Sequence, residues 1–218
     1  METTEPAYFA AYPGLKMTRD VHGVLVIEFD SHGGPLRFTA EDHTDFVDAF
    51  YLIARDRANQ IVILAGTAGQ FIPEIDFSSF GNVADFDVWG RVRDEEATFQ
   101  DLPHFAGGIV PGDGIFAMGS YRAGAGRTEA FLLNPQPLSA HTAYERGVVA
   151  EVVPDGRALA RAQELAALYL KAPEVMRRNT RTHFIQPLKE RIVREVGYGL
   201  SLEGSSLAAL AKSIEATS

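Results

Sequence analysis

The 218 residues contain no cysteine. That excludes a disulfide framework, a thiolate nucleophile and a zinc site built on sulfur. Any chemistry must rest on histidine, carboxylates, hydroxyls or backbone amides. Basic residues are in deficit too: 20 Lys and Arg face 29 Asp and Glu, and the net charge of -9 would repel phosphate backbones and anionic lipid headgroups. Nucleic acid and membrane surfaces are not expected as partners. No apolar run approaches the roughly 20 residues needed to span a bilayer, and the opening METTEPAYFAAYPGL lacks a basic start followed by an apolar stretch. The expected location is the cytoplasm. No internal repeat is present.

What the chain does have is 46% hydrophobic content, enough for one substantial core and too little length for two large domains. Val21–Phe29 (VHGVLVIEF) is rich in β-branched and aromatic residues before the turn-forming SHGG, and reads as a strand. Thr39 is placed to cap a helix with acidic residues in its first turn, and Phe46, Phe50 and Ile53 recur on one face. Gln60–Ala65 (QIVILA) is a continuous apolar run ending at Gly66, as expected of a parallel strand covered on both faces. Strand, helix, strand predicts a right-handed crossover. Ala97–Gln100 suits a further short strand, and Ala130–Leu133 opens a segment that ends at the turn-prone NPQP. Strand signals fade after about Val153. Beyond it, Leu159, Ala162, Leu165, Ala166 and Tyr169 mark an amphipathic helix, Pro173 suits the first turn of a second, and Leu200–Ile214 predicts a third. The predicted organisation is an α/β body over residues 1–153 and a helical region over 154–218.

Four stretches stand out. GTAGQFIPEIDFSSF (66–80) is a Gly-containing loop after a predicted strand; FQDLPHFAGGIVPGDG (99–114) ends in a PGxG turn; PLSAHTAYERGVVAEVVP (137–154) reads as a short helix leading into a strand; and GYGLSLEG (197–204) sits in the helical tail. Together they resemble the crotonase superfamily, and within it the β-diketone hydrolases. The resemblance implies an α/β spiral of ββα units with a C-terminal helical region that serves trimerisation. It implies that the backbone N–H of Ile75 serves an oxyanion hole, that His104 stands where enoyl-CoA hydratases carry a catalytic glutamate, and that His104 and Asp113 form a catalytic dyad. Glu203 aligns with a glutamate directed into the pocket. Phe38, Phe77, Phe80 and Trp89 lie in or near segments bordering the family's pocket, which favours an apolar cyclic substrate.

One block of the family pattern is absent near residues 93–97, where DFDVWGRVRDE passes straight into EATFQD. The missing part would hold a helix, a strand, most of a second helix and an additional active-site histidine. A parallel strand removed from a sheet leaves unpaired backbone groups. The expectation is therefore omitted residues and a break in the Cα trace between Arg93 and Ala97 rather than a true deletion.

Histidine suits the hydrolysis of a β-diketone because its ordinary pKa near 6.5 lets it take a proton from water at neutral pH, while a carboxylate on its other nitrogen fixes the tautomer. Asp113 is the expected carboxylate, and Glu203 is expected to position water or substrate. Plainer readings stand beside these. A histidine near a Gly-rich turn is often a structural hydrogen-bonder, Asp beside Gly is ordinary turn chemistry, and Glu203 could be a solvated helix residue. His22, His32, His43, His141 and His183 lie in segments without a catalytic pattern. GAGRTE from Gly124 lacks the GK[ST] of a phosphate loop. The expected function is a cofactor-independent, metal-free hydrolase splitting a carbon–carbon bond of a small-molecule diketone by a retro-Claisen route, assembled as a homotrimer or hexamer. The alternatives are a CoA-thioester hydratase or isomerase, which a glutamate at position 104 would have favoured, and a non-catalytic assembly subunit, which a true deletion would favour.

Overall fold

The computed structural model describes residues 5–76, 79, 92–94 and 97–215, with 92–94 and 214–215 described by backbone alone. Along these residues run β1 (Leu15–Arg19), β2 (Val24–Ser31), β3 (Gly34–Pro35), β4 (Arg37–Phe38), α1 (Ala40–Arg55), β5 (Ile61–Gly66), β6 (Glu74–Ile75), β7 (Val92–Asp94), β8 (Thr98–Phe99), α2 (Ile115–Ala123), α3 (Ala125–Leu133), β9 (Leu138–Ser139), α4 (Ala140–Glu145), β10 (Glu151–Val153), α5 (Ala158–Tyr169) and α6 (Glu174–Glu215). They fall into two compact units, residues 1–85 with 159–177 and residues 86–158 with 178–218.

The first unit is built around β2. It pairs antiparallel with β1, from Leu15↔Phe29 to Arg19↔Leu25, and parallel with β5, from Val24↔Ile61 to Phe29↔Gly66. A parallel neighbour needs a crossover, and α1 supplies it. Thr39 and Asp42 form a capping box: the Asp42 N–H donates to the Thr39 hydroxyl and the Thr39 N–H to the Asp42 carboxylate. α1 buries Phe46, Ala49 and Ile53, and the Phe46 ring centroid lies 5.2 Å from that of Phe29. Alternation along β2 puts Leu25, Ile27 and Phe29 into that core, each fully buried. On the opposite face Val24, Val26, Ile61 and Ile63 pack with Ala166, Leu159, Ala162 and Leu170, the α5 stripe predicted from its spacing.

Two expectations need correction here, and one strand was not expected at all. The strand predicted from Val21 begins at Val24, because the Asp20 carboxylate accepts the N–H groups of both His22 and Val24 and closes a turn that leaves Val21 95% exposed. The partner that this turn creates, β1, was not evident in the pattern. β5 is not covered on both faces within the chain: Val62 is 42% and Leu64 36% exposed.

In the second unit β7 pairs parallel with β10 (Val92↔Glu151 to Val153↔Asp94), and β8 antiparallel with β9 (Thr98↔Ser139, Phe99↔Leu138). Leu138, Ala143 and Val149 form its core with Phe99, Phe131, Val148 and Val152. Ala130–Leu133 belongs to the helix α3, and the GAGRTE stretch forms its first turns. The second and third tail helices are one: α6 runs 42 residues with Pro187 inside it. A proline inside a helix removes its own N–H from the ladder and crowds the carbonyl four residues back, and the residues beyond it are held by packing on the loop described next. The break expected between Arg93 and Ala97 falls on residues 95 and 96, outside the described residues, as do Phe77, Phe80 and Trp89.

Candidate active site

The polar side chains of the site, Asp101, His104, Asp113 and Glu203, all come from the second unit. After β8 the chain turns through Asp101-Leu102-Pro103-His104, and the Asp101 carboxylate accepts the backbone N–H of His104 at 3.3 Å, an Asx-type closure. The same carboxylate holds the ring of that histidine, with Nδ1 2.9 Å from Oδ1 and 3.0 Å from Oδ2. A 3-10 turn, Phe105–Gly107, follows, and the Ile109 N–H returns to the His104 carbonyl at 2.9 Å. The chain then enters the Pro111-Gly112-Asp113-Gly114 turn. Gly114 has φ +117, open to glycine and strained for other residues, and it starts α2. Asp113 uses one oxygen to accept the Ile115 N–H at 3.0 Å, so it does cap the turn. Its other oxygen lies 3.4 Å from His104 Nε2, and its side chain is fully buried.

Glu203 reaches the same place from α6. Val196, Gly199, Glu203, Ser206 and Leu210, spaced three and four residues apart, present one helical stripe to residues 108–114. The Ser206 hydroxyl accepts the Val110 N–H at 2.9 Å and donates to the Glu203 carbonyl at 2.7 Å. Gly112 lies against Gly199, and a Cβ on Gly112 would come within 3.0 Å of Glu203 Cβ. Glu203 is 2% exposed, so it is not a solvated helix residue. Donor atoms of His104, Asp113 and Glu203 lie within 4.8 Å of one another.

Of the six histidines, only His104 is buried. Burial by itself would lower its pKa, but the hydrogen bonds and charges of Asp101 and Asp113 override it and raise the value from 6.5 to about 10. The two carboxylates thus favour the protonated ring, Asp101 against Nδ1 and Asp113 near Nε2. One imidazole and two carboxylates could also converge on a cation.

Sequence reasoning brought His104, Asp113 and Glu203 to this cluster and missed Asp101. The signal was in plain view, since an aspartate three residues before the histidine across a proline is placed to close the turn and meet the ring. Two other expected site residues belong to the first unit. Ile75 lies on β6, paired with Phe38 of β4. The bond to the Phe38 carbonyl comes from the Asp76 N–H at 2.8 Å, and alternation turns the Ile75 N–H to the other side of the strand. Phe38 is buried in its own unit's core, its ring centroid 5.4 Å from that of Phe46.

Among solved structures, a β-diketone hydrolase from the cyanobacterium Anabaena sp. PCC 7120, bound to (S)-3-oxocyclohexyl acetic acid, matches with TM-score 0.89 and 33% identity over 95% of this chain and 99% of that one. An enoyl-CoA hydratase from Mycobacterium paratuberculosis matches with TM-score 0.78 and 16% identity over 91% and 99% of the two chains. One from Mycobacterium smegmatis gives 0.76 and 17% over 90% and 99%. These two share the fold alone. No family model and no curated protein sequence matches the chain.

Proposed function

The chain belongs to the crotonase superfamily, with its α/β fold, and from that premise we propose that it hydrolyses a carbon–carbon bond of a cyclic β-diketone by a retro-Claisen route. The observation that carries this reading is the buried His104 between Asp101 and Asp113, with Glu203 alongside. That set supplies a proton acceptor and a proton donor in one cluster, as the reaction requires.

The raised His104 pKa changes the roles expected from sequence. A ring whose protonated form is favoured by two carboxylates is a poor first base. Asp113 takes the proton from water while the hydroxyl oxygen bonds to one carbonyl carbon and that carbonyl's electrons move to its oxygen. The Ile75 N–H is the proposed donor to this oxyanion. The oxyanion re-forms the carbonyl, the bond to the central carbon breaks, and its electron pair leaves as an enolate. His104 Nε2–H protonates the enolate carbon, and the proton held by Asp113 then returns to Nε2. Water and diketone become a keto acid, the site is restored, and no cofactor enters. Glu203 positions the water or the substrate.

Among the described residues no helix is long and apolar enough to cross a membrane. We place the enzyme in the cytoplasm and assemble it as a homotrimer or hexamer, with residues 154–218 as the trimerisation region. The test is incubation with a panel of cyclic β-diketones and with crotonyl-CoA, products followed by mass spectrometry. Keto acids from the diketones support the reading. Hydration of crotonyl-CoA alone would replace it with a hydratase, and no turnover of either with an assembly subunit.

A further inference from the structure

Two carboxylates meet the His104 ring, and they are not equivalent. Asp101 sits on Nδ1 with both oxygens, at 2.9 and 3.0 Å, and is itself 3% exposed. Asp113 meets Nε2 through one oxygen at 3.4 Å, beside Glu203. The first contact is shorter, doubly accepted and within the histidine's own turn. The second is longer and opens onto the other reacting groups.

We infer that Asp101 is the positioning residue of the site: by accepting the Nδ1–H it fixes the rotation and tautomer of the His104 ring and turns Nε2 toward Asp113 and the substrate. The inference rests on the proposed hydrolase reading for its kinetic consequences, though not for the state of the ring. A carboxylate on Nδ1 makes a neutral His104 keep its proton there, so the nitrogen that gives up and regains a proton in each turnover is always Nε2. It also stabilises the imidazolium that must be re-formed before the next water attacks. The charged groups facing the ring are Asp101 from its own turn, Asp113 from the loop before α2 and Glu203 from α6.

A purely structural role is the competing account, because Asp101 also accepts the His104 backbone N–H. Asp101→Asn and Asp101→Ser both retain a turn-closing oxygen and remove the charge. In the Asn variant the amide can donate to Nδ1 and favour the wrong tautomer. The experiment is nitrogen NMR of protein labelled in its histidine rings, titrated from pH 5 to about 11, with kcat and KM measured in parallel on a turned-over diketone. In the wild type both ring nitrogens of His104 should carry protons at pH 7. In either variant that folds, the His104 titration should move to lower pH, the alkaline limb of the kcat profile should move with it, and kcat should fall about 10²–10³-fold with KM little changed. Asp101→Glu should recover part of the loss.

A wild-type ring lacking the Nδ1 proton at pH 7 would overturn the inference without any variant. So would a folded Asn or Ser variant with an unchanged titration and pH profile. If no diketone is turned over by the wild type, the hydrolase reading fails, and the titration still decides whether Asp101 holds the ring.

Discussion

Gly112, in the turn before α2, and Gly199, on α6, meet backbone to backbone: a methyl on either would enter the other's peptide group. The two are 87 positions apart in the chain. Their contact seats α6 on the loop that carries Asp113, and one helical turn beyond Gly199 is Glu203. The absence of two side chains is thus what lets three others converge.

Gly112→Ala should therefore damage both stability and chemistry. The added methyl collides with the Gly199 carbonyl, which is backbone and cannot rotate away, so α6 must lift or the turn must shift. Overpacking of this kind costs about 1–3 kcal/mol. Chemical denaturation should show that loss, and kcat on the true substrate should drop with Glu203 displaced. A variant as stable and active as the wild type would show that the contact does not set the site.

His104→Ala should lower kcat about 10²–10⁴-fold. Asp113→Asn should lower it strongly with the fold intact, because the asparagine carbonyl can still accept the Ile115 N–H that Asp113 Oδ1 accepts at 3.0 Å. Asn cannot take the water's proton. Steady-state kinetics with circular dichroism checks this, and near-normal turnover by either variant would break the dyad assignment.

Stability should fall on the alkaline side because of His104. Its folded pKa is raised from 6.5 to about 10, so the folded state binds a proton that the unfolded chain releases. The contribution is fully present below about 6.5, declines above it, and is lost as pH rises through about 10. Denaturation midpoints measured across that window should decline, and His104→Gln should flatten the decline. An identical slope in both proteins would mean that the ring is not held charged.

Assembly should be visible in solution. α1 leaves Val47 65% exposed, and α6 leaves Val193 86% and Tyr198 71% exposed, apolar surface that a second copy would cover. Light scattering at micromolar concentration should return a trimer or hexamer. A monomer would count against the proposed assembly.

Much of this protein was legible in its sequence because the relevant signals are local. Thr39 and Asp42 announce the start of α1 within four residues, and the spacing of Leu159, Ala162 and Ala166 marks the buried stripe of α5. The PGDG turn displays its own strain relief in Gly114, and the motif around His104 carries the family resemblance. Periodicity and turn chemistry depend on neighbours a few residues away, so they survive as patterns in the chain.

What sequence left open depends on residues distant in number. Nothing in Val92–Asp94 names Glu151–Val153 as its partner, since three-residue strands carry too little periodicity to specify pairing. The tail reads as separate helices, one from Pro173 and one over Leu200–Ile214, and only packing of the stripe from Val196 to Leu210 on the site loop shows why the helix continues. The chemical identity of His104 is of the same kind. By itself the sequence determined that a histidine, an aspartate and a glutamate of the right types were present in motifs of the right family. The tertiary structure decided that Asp101 meets one ring nitrogen and Asp113 the other, and so raised the pKa of the ring. A pKa is set by burial and by charges a few ångströms away in space, and distance in space is what a linear sequence does not record.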